Sequence, residues 1–290
     1  MCAVIRASEP RALRDRLPEL ITSRRNPLVA RLRALHQAKG RREQGLLLLE
    51  GTHLLQEVLR LGLQPECLLA SEAWLARHGL LLEGTGLTAQ PVGGEVLAAV
   101  ATTEHPDGVV LTLPAAALRR ASGRGRFVLA LDQLQDPGNL GTLVRTALAA
   151  GVEELWLGGG ADPLQPKVLR ASAGAALALP LRREPDRDAL LPLLHGALAA
   201  GHQLVATLVE GGGEGGAQAP IPYWELDWSR PTVLLLGNEG AGLHPQLAAL
   251  ATHRVTIPHS AAVESLNVAV AAGPLLLERW RQQQQRPAAQ

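Results

Sequence analysis

From Phe127 onward, strand-length apolar runs alternate with helical stretches. FVLALDQL, ELWLGG, ALALPL, QLVATLV, TVLLLG and HRVTIP are continuous rather than alternating in polarity, the pattern of strands buried on both faces of a mostly parallel sheet. Helices are predicted between them over residues 140–150, 186–200 and 243–250, so the second half reads as a doubly wound α/β domain. Earlier in the chain, LLLLEG reads as a buried strand. THLLQEVLRLG reads as an amphipathic helix with Leu54, Leu55, Val58, Leu59 and Leu61 on one face and Gly62 as its stop. ECLLA, EVLAAVAT and GVVLTL carry the α/β alternation to residue 113.

PAAALRRASGRGR has linker composition. The layout is then an N-terminal extension at 1–20, a first domain at 21–113, a linker at 114–126, a second domain at 127–283 and a disordered tail at 284–290, within the closing QQQQRPAAQ. GGGEGGAQAP at 211–220 lacks the spacing of a phosphate loop and is expected to be a mobile surface loop.

Composition bounds the function. With 47% apolar and 19% charged residues over 290 positions, the chain is a globular protein of two ordinary domains. No apolar run is long enough to cross a bilayer, and the first residues lack the apolar core of a secretory signal, so a cytoplasmic protein is expected. Cys2 and Cys67 are too few for a disulfide framework or a zinc site. HExxH, CxxC and Walker A sequences are absent, as is a GxGxxG after a strand, and the histidines are scattered. No metal is expected, and His253 and His259 read as structural or surface residues.

Charge is unevenly placed. The net charge is +1, yet residues 1–45 hold eleven Lys/Arg against four Asp/Glu, and the remainder holds 17 against 23. That describes either a basic arm of the kind that meets polyanions or a solvated helix face. Arg24, Arg25, Asn26, Arg41 and Arg42 are the arm's candidate polyanion contacts. With one Phe, one Tyr and five Trp, phosphate contact is expected ahead of base stacking.

Three segments carry candidate chemistry. LALDQLQDPGNLGTLVRTALAAG passes from a buried strand through the turn Asp136–Asn139 into a helix, with Asn139 as its predicted N-cap. Leu140, Val144, Ala147 and Leu148 form the apolar stripe. Arg145 falls at its edge, in line with Gly141 and Ala149, whose small size is expected to free the guanidinium to reach the strand ends where ligands of parallel sheets sit. Alone, Arg145 also reads as a surface arginine lying over alanine. VLLLGNEGAGLHPQL sets Gly237, Asn238, Glu239, Gly240 and Gly242 after a strand. Such a loop lets backbone approach an adenine edge or a ribose, and it equally fits a tight strand-to-helix connection. In VTIPHSAAVESLNVAVAAGPLLLERW the strand ends at Ile257–Pro258 and a helix is predicted from Glu264, with Ser265 and Asn267 in its first turn. Unpaired donors there suit a polar ligand edge. Capping explains Ser265 or Asn267 singly, but not three such segments ending strands of one sheet.

Together, NLGTLVRTALAAG, LGNEGAGL and IPHSAAVESLNVAVA resemble, in order, the three motifs of the SpoU (TrmH-type) RNA ribose 2′-O-methyltransferases of the SPOUT superfamily. KVLRASAGAALALPL is similar to the family's intervening segment. ITSRRNPLVARLRAL, LLLLEGTHLLQEVL and TTEHPDGVV are similar to its substrate-binding domain, so the resemblance spans most of 21–283. It implies a smaller N-terminal α/β substrate-binding domain and a C-terminal mostly parallel sheet, helices on both faces, tied in a deep trefoil knot. It also implies S-adenosylmethionine held in that knot by backbone at Gly237, Ile257 and Leu266, with Asn238 and Thr207 nearby. RNA is the implied partner, ribosomal in preference to transfer RNA, and a homodimer the implied assembly, with sites formed across the subunit interface. By matching position Arg145 is catalytic, while Asn139, Glu239, Ser265 and Asn267 orient the arginine, the ribose and the cofactor. A guanidinium keeps its proton below a pH of about 12. Clamping a phosphate and a developing alkoxide is therefore an easier task for Arg145 than acting as the base, and both readings stay open.

The chain departs from the family pattern at His259, where Met is usual, at Ala261 (Gly), at Ala269 (Ser) and at Asp107 (Gln). Ala261 is expected to strain a turn that prefers positive φ, and Pro274 to kink the last helix. The alternatives to ribosomal RNA methylation are transfer RNA ribose methylation and a non-catalytic RNA-binding relative. A dinucleotide-dependent enzyme is disfavoured by the missing fingerprint.

Overall fold

The computed structural model of the chain describes residues 18–208 and 219–285. Most of the expected N-terminal extension, Cys2, the glycine-rich loop except Ala219 and Pro220, and the last residues of the tail lie outside them. The chain divides into two compact units between Ala117 and Leu118.

In the first unit, β1 (Leu46–Glu50), β2 (Cys67–Ala70), β3 (Gln90–Pro91) and β4 (Val109–Pro114) form a sheet in the order β1-β4-β2-β3. Strand β4 is antiparallel to both neighbours, and β3 is parallel to β2. The predicted amphipathic helix is Thr52–Arg60, burying Leu54, Leu55 and Val58. Its first turn is capped from a distance by Asp107, which accepts the Thr52 amide at 2.6 Å and the Thr52 hydroxyl at 2.5 Å. These bonds hold the Asp107 carboxyl below the usual carboxylate range.

Over its described residues, 18–45, the basic N-terminal region is not an arm. The Asn26 side chain caps a helix at Pro27–Ala34 by accepting the Leu28 amide at 2.9 Å, and a second helix follows at Ala38–Gln44. Val29, Leu32 and Leu35 recur every third residue and are fully buried against Leu46, Leu48, Leu69, Val96 and Val100. The charge excess hides this apolar stripe. Arg41 is likewise buried, and its Nη1 donates to the carbonyls of Leu35 and His36, both at 3.0 Å. It satisfies carbonyls at the end of the first helix; Arg24, Arg25 and Arg42 are exposed.

The second unit is a seven-stranded sheet in which every pair is parallel. Its strands are β5 (Phe127–Asp132), β6 (Glu154–Gly158), β7 (Leu181–Glu184), β8 (Gln203–Thr207), β9 (Ile221–Pro222), β10 (Thr232–Leu236) and β11 (His253–Thr256), in the order β7-β6-β5-β10-β8-β11-β9. Val128, Ala130, Trp156, Val233 and Leu235 pack with buried residues of the helices Arg187–Ala199 and Pro245–Leu250. The helix Pro137–Ala149 packs against Pro166–Ala171 and against the final helix, Val268–Gln284.

Three sequence expectations change here. ALALPL is not a strand: Ala175–Ala178 is a helical turn after Gly174, and the strand is Leu181–Glu184, with Arg182 and Arg183 exposed. Alanine prefers helix, and an edge strand tolerates the charges that the apolar pattern excluded. The expected linker is ordered at 122–125, where its backbone wraps the Glu154 carboxylate. That group accepts the amides of Ser122, Gly123 and Gly125 at 3.0, 2.9 and 3.2 Å, and the Trp156 indole at 2.9 Å. Burial alone would raise its pKa, but these donors hold it below the usual range. The glutamine run stays helical to Gln284, and Gln282 bonds the Trp228 amide and the Leu226 carbonyl. The last helix runs over Val268–Gln284 with Pro274 inside it. It is fastened by the buried Arg279, which donates to the carbonyls of Trp228 and Arg230 and lies 4.3 Å over the Phe127 ring.

Gly141 shows why the helix Pro137–Ala149 sits where it does. A Cβ there would lie 2.4 Å from the Ala171 Cβ and 3.0 Å from the Ser172 amide. The glycine lets two helices touch; it does not clear a path for Arg145. Gly141→Ala is expected to destabilise the fold, because overpacking costs about 1–3 kcal/mol and exceeds the gain of about 1 kcal/mol in helix propensity. Urea denaturation should show a lower midpoint, and an unchanged or higher midpoint would refute the close approach.

Candidate active site

At the carboxyl ends of β10, β8 and β11 the sheet opens into a cavity of about 470 Å³, the size and place expected of a ligand site in a parallel sheet. Asn139, Thr207, Gly237, Asn238, Glu239, Ile257, Ser265, Leu266 and Asn267 all line it. Arg145 does not. It is exposed on its helix and makes no hydrogen bond or ion pair among the described residues.

The loop after β10 is closed by its own backbone. Asn238 and Gly242 exchange amide-to-carbonyl bonds of 3.0 and 2.9 Å, and the Asn238 side-chain oxygen accepts the amides of Gly240 and Ala241 at 2.9 and 3.2 Å. Its side-chain nitrogen donates to the Gln133 carbonyl at 2.8 Å. The Asn238 amide group is therefore engaged in building the loop. At Gly237 a Cβ would fall 2.1 Å from the Gly242 carbonyl carbon and 2.2 Å from the Leu243 nitrogen. Only glycine lets the loop fold back on its strand.

Glu239 reaches from this loop to the one after β5. It accepts the amides of Gln135 and Asp136 at 3.1 and 2.9 Å and the Asn139 side-chain nitrogen at 3.3 Å. Burial acts to raise its pKa, but the amides of Asp136 and Gln135 outweigh that and hold it below the usual range. The Asn139 oxygen in turn accepts the Asn267 side-chain nitrogen at 3.0 Å. Asn267 completes the chain by accepting the amides of Ala269 and Val270 at 2.9 and 3.2 Å. Each amide's orientation is thus set by the next, since an oxygen can only accept and an NH₂ only donate.

Two predicted caps are displaced. Asp136, not Asn139, caps the helix Pro137–Ala149, accepting the Asn139 amide at 2.7 Å, and Pro137 opens the first turn. That releases the Asn139 side chain for Glu239 and Asn267. The last helix starts at Val268 rather than near Glu264, with Asn267 as its N-cap and Ser265 in the loop before it. Ala261 is not strained: the non-glycine residues at positive φ among the described residues are Gln133 and Ala173.

The wall also holds residues that sequence pattern does not nominate. Thr256 lines the cavity beside Thr207, and both hydroxyls are buried without a partner among the described residues. His259, expected to be structural or superficial, lines it too, with Nδ1 2.7 Å from the Ile257 carbonyl oxygen. Its position two residues past the Ile257–Pro258 strand end is the available signal. Among the described residues no cluster of three or more His, Cys, Asp or Glu could hold a metal, and no helix is long and apolar enough to cross a membrane.

Comparison with known proteins places this geometry. Residues 126–277 match the model of the SpoU rRNA Methylase family, and residues 26–111 match the MRM3-like substrate binding domain. An uncharacterized tRNA/rRNA methyltransferase of Synechocystis sp. is 46% identical over 91% of this chain and 94% of its own length. The 23S rRNA (guanosine(2553)-2′-O)-methyltransferase RlmP of Bacillus subtilis is 35% identical over 88% and 97%. The crystal structure of an AdoMet-bound rRNA methyltransferase from Sinorhizobium meliloti superposes with a TM-score of 0.76, at 33% identity, covering 91% of this chain and 98% of that one.

The Glu239 contact predicts a pH dependence with a definite sign. Its carboxyl is lowered from 4.5 in the folded chain, so the stability it contributes is present above that value and lost as pH falls through the lowered one. Glu239→Gln is expected to melt below the wild type at neutral pH, with the difference closing in acid. A difference that stayed constant from neutral pH into acid, in paired thermal melts, would show that the ionised carboxylate is not what holds the two loops.

Proposed function

The chain belongs to the SpoU rRNA Methylase family, and on that premise we propose that it methylates a ribose 2′-hydroxyl of ribosomal RNA with S-adenosylmethionine as donor. The observation that carries this reading is the Glu239–Asn139–Asn267 chain, which draws three strand-end loops onto the wall of one cavity. The activity of the Bacillus subtilis relative, 2′-O-methylation of 23S rRNA, supports it.

The cavity suits the donor. Leu236, Leu243, Ile257 and Leu266 give apolar wall for a nucleoside ring, Gly237 lets backbone approach, and the unpartnered Thr207 and Thr256 hydroxyls are free to bond polar edges. Bound there, S-adenosylmethionine supplies an electrophilic methyl on a sulfonium. The chain's own task is to place a hydroxyl in line and manage one proton. Asn139, Ser265 and Asn267 orient the ribose, with Glu239 behind Asn139. Arg145 clamps the neighbouring phosphate through its fixed fork of donors and stabilises the developing alkoxide, while the phosphate or a water takes the proton.

Arg145 stands outside the cavity of its own chain, so the reading includes a homodimer. Val270, Leu277 and Trp280 are 64%, 49% and 42% exposed, and their spacing puts them on one side of the final helix. That helix packs beside the one carrying Arg145. A two-fold interface there both covers the apolar stripe and brings Arg145 to the pocket of a second copy. The trefoil knot belongs to the same reading. It is supported by the course of the chain after β11, which returns past the β10 loop to join Asn267 to Asn139. The protein is placed in the cytoplasm with its RNA, which the first unit meets through the exposed Arg24, Arg25 and Arg42.

Arg145→Ala is expected to lower methyl transfer at least a hundredfold, the scale of losing a charge-stabilising donor of about 3 kcal/mol, with melting temperature and S-adenosylmethionine affinity retained. Radiolabelled methyl transfer to ribosomal RNA measures it, and full activity would remove Arg145 from the mechanism. Replacing Arg24, Arg25 and Arg42 together by Gln should weaken RNA binding and flatten its salt dependence, by roughly 0.7–0.9 in log–log slope for each phosphate no longer neutralised. An unchanged slope in filter-binding titrations would exclude these arginines.

A further inference from the structure

We infer that His259 contributes a hydrogen-bond acceptor, its Nε2, to bound S-adenosylmethionine; this rests on the reading that the cofactor fills the cavity. The ring lines the cavity in the loop that follows β11. Its Nδ1 lies 2.7 Å from the Ile257 carbonyl oxygen, and a carbonyl can only accept, so Nδ1 carries the hydrogen. In the neutral form of the ring one lone pair is then left, on Nε2, which makes no hydrogen bond among the described residues. Nε2 is thereby an acceptor without a donor.

The other polar side chains of the wall are differently engaged. Asn238 is used within its loop, and Glu239 accepts from Gln135, Asp136 and Asn139. Asn139 and Asn267 bond each other and their neighbours. The hydroxyls of Thr207, Thr256 and Ser265 can donate as well as accept, so none of them selects for a donor on the ligand. A neutral imidazole with Nδ1 committed does. The donor groups S-adenosylmethionine offers are the exocyclic amine, the ribose hydroxyls and the α-ammonium, and these are shared by S-adenosylhomocysteine. The hydrogen bond therefore adds affinity for both and does not distinguish substrate from product. The Ile257 carbonyl, which fixes the ring, belongs to the backbone nominated to hold the same ligand, so ring and backbone are presented as one unit.

Two substitutions separate this role from support of the loop. His259→Asn keeps a donor near Nδ1 for the Ile257 carbonyl and removes Nε2, while His259→Gln places an amide at the reach of Nε2. Isothermal titration of wild-type protein with S-adenosylmethionine and S-adenosylhomocysteine comes first. Against it, His259→Asn should keep the melting temperature and weaken both ligands about fivefold to tenfold, as for the loss of one hydrogen bond. His259→Gln should recover binding to within about threefold. In protein with ¹⁵N-labelled histidine, the Nε2 resonance of His259 should move when S-adenosylhomocysteine is added, with Nδ1 remaining the protonated nitrogen. Wild-type affinities in His259→Asn, with an unmoved Nε2 resonance, would overturn this inference alone. Failure of the wild type to bind S-adenosylmethionine would overturn the reading of the cavity and this inference with it.

Discussion

One carboxylate fastens the site. Glu239 stands on the loop after β10, yet its bonds go to backbone and side chain after β5, about a hundred residues away in sequence. Asn139 and Asn267 are arranged relative to that link. Asn139 faces Glu239 with its nitrogen, so its oxygen faces Asn267, and Asn267 must then cap the last helix with its own oxygen. A chain of amides anchored by an ionised group has one orientation available to each member. The loops are held in register by hydrogen-bond direction as much as by packing, and the glycine at Gly237 supplies the close backbone fit that side chains there would prevent.

The first unit uses charge in a different way. Glu50, Asp107 and Arg41 are placed to satisfy backbone groups and hydroxyls, with Glu50 accepting from Thr102 and Thr103 and Arg41 bonding helix-end carbonyls. Polar residues at helix ends and strand ends are thus the scaffold's fastenings, whereas Arg24, Arg25 and Arg42 stand exposed. Glu154 repeats the device in the second unit, gathering the loop at 122–125 around a carboxylate.

Much of this is legible in the residues. Continuous apolar runs locate β5, β6, β8, β10 and β11 because a parallel sheet buries both faces of its central strands. The edge strand β7 escapes, since LRRE has no such run. The three site segments are visible as strand-end loops with Gly, Asn, Ser and Glu, and nearly all their nominated residues reach the cavity. What local pattern cannot assign is the partner of each polar group. Asn139 and Asp136 are both good caps, and only the tertiary position of Glu239 decides which one caps and which is freed. The basic N-terminal region misleads because net charge is a sum, whereas burial follows the spacing of Val29, Leu32 and Leu35. His259 is read as structural because a lone histidine names no partner until a wall forms around it, although its place two residues past the Ile257–Pro258 strand end is a signal.

The final helix carries a consequence of its own. Its first residue is tied through Asn267 to the loops of the cavity, and its far half is pinned by Arg279 to the segment before β10 and to the ring of Phe127 at the opposite edge of the strands. A rod clamped at both extremities has little room to slide or roll on its own. Substitutions on its outer surface therefore fall on the same rigid element whose first turn carries the Asn267 wall of the cavity.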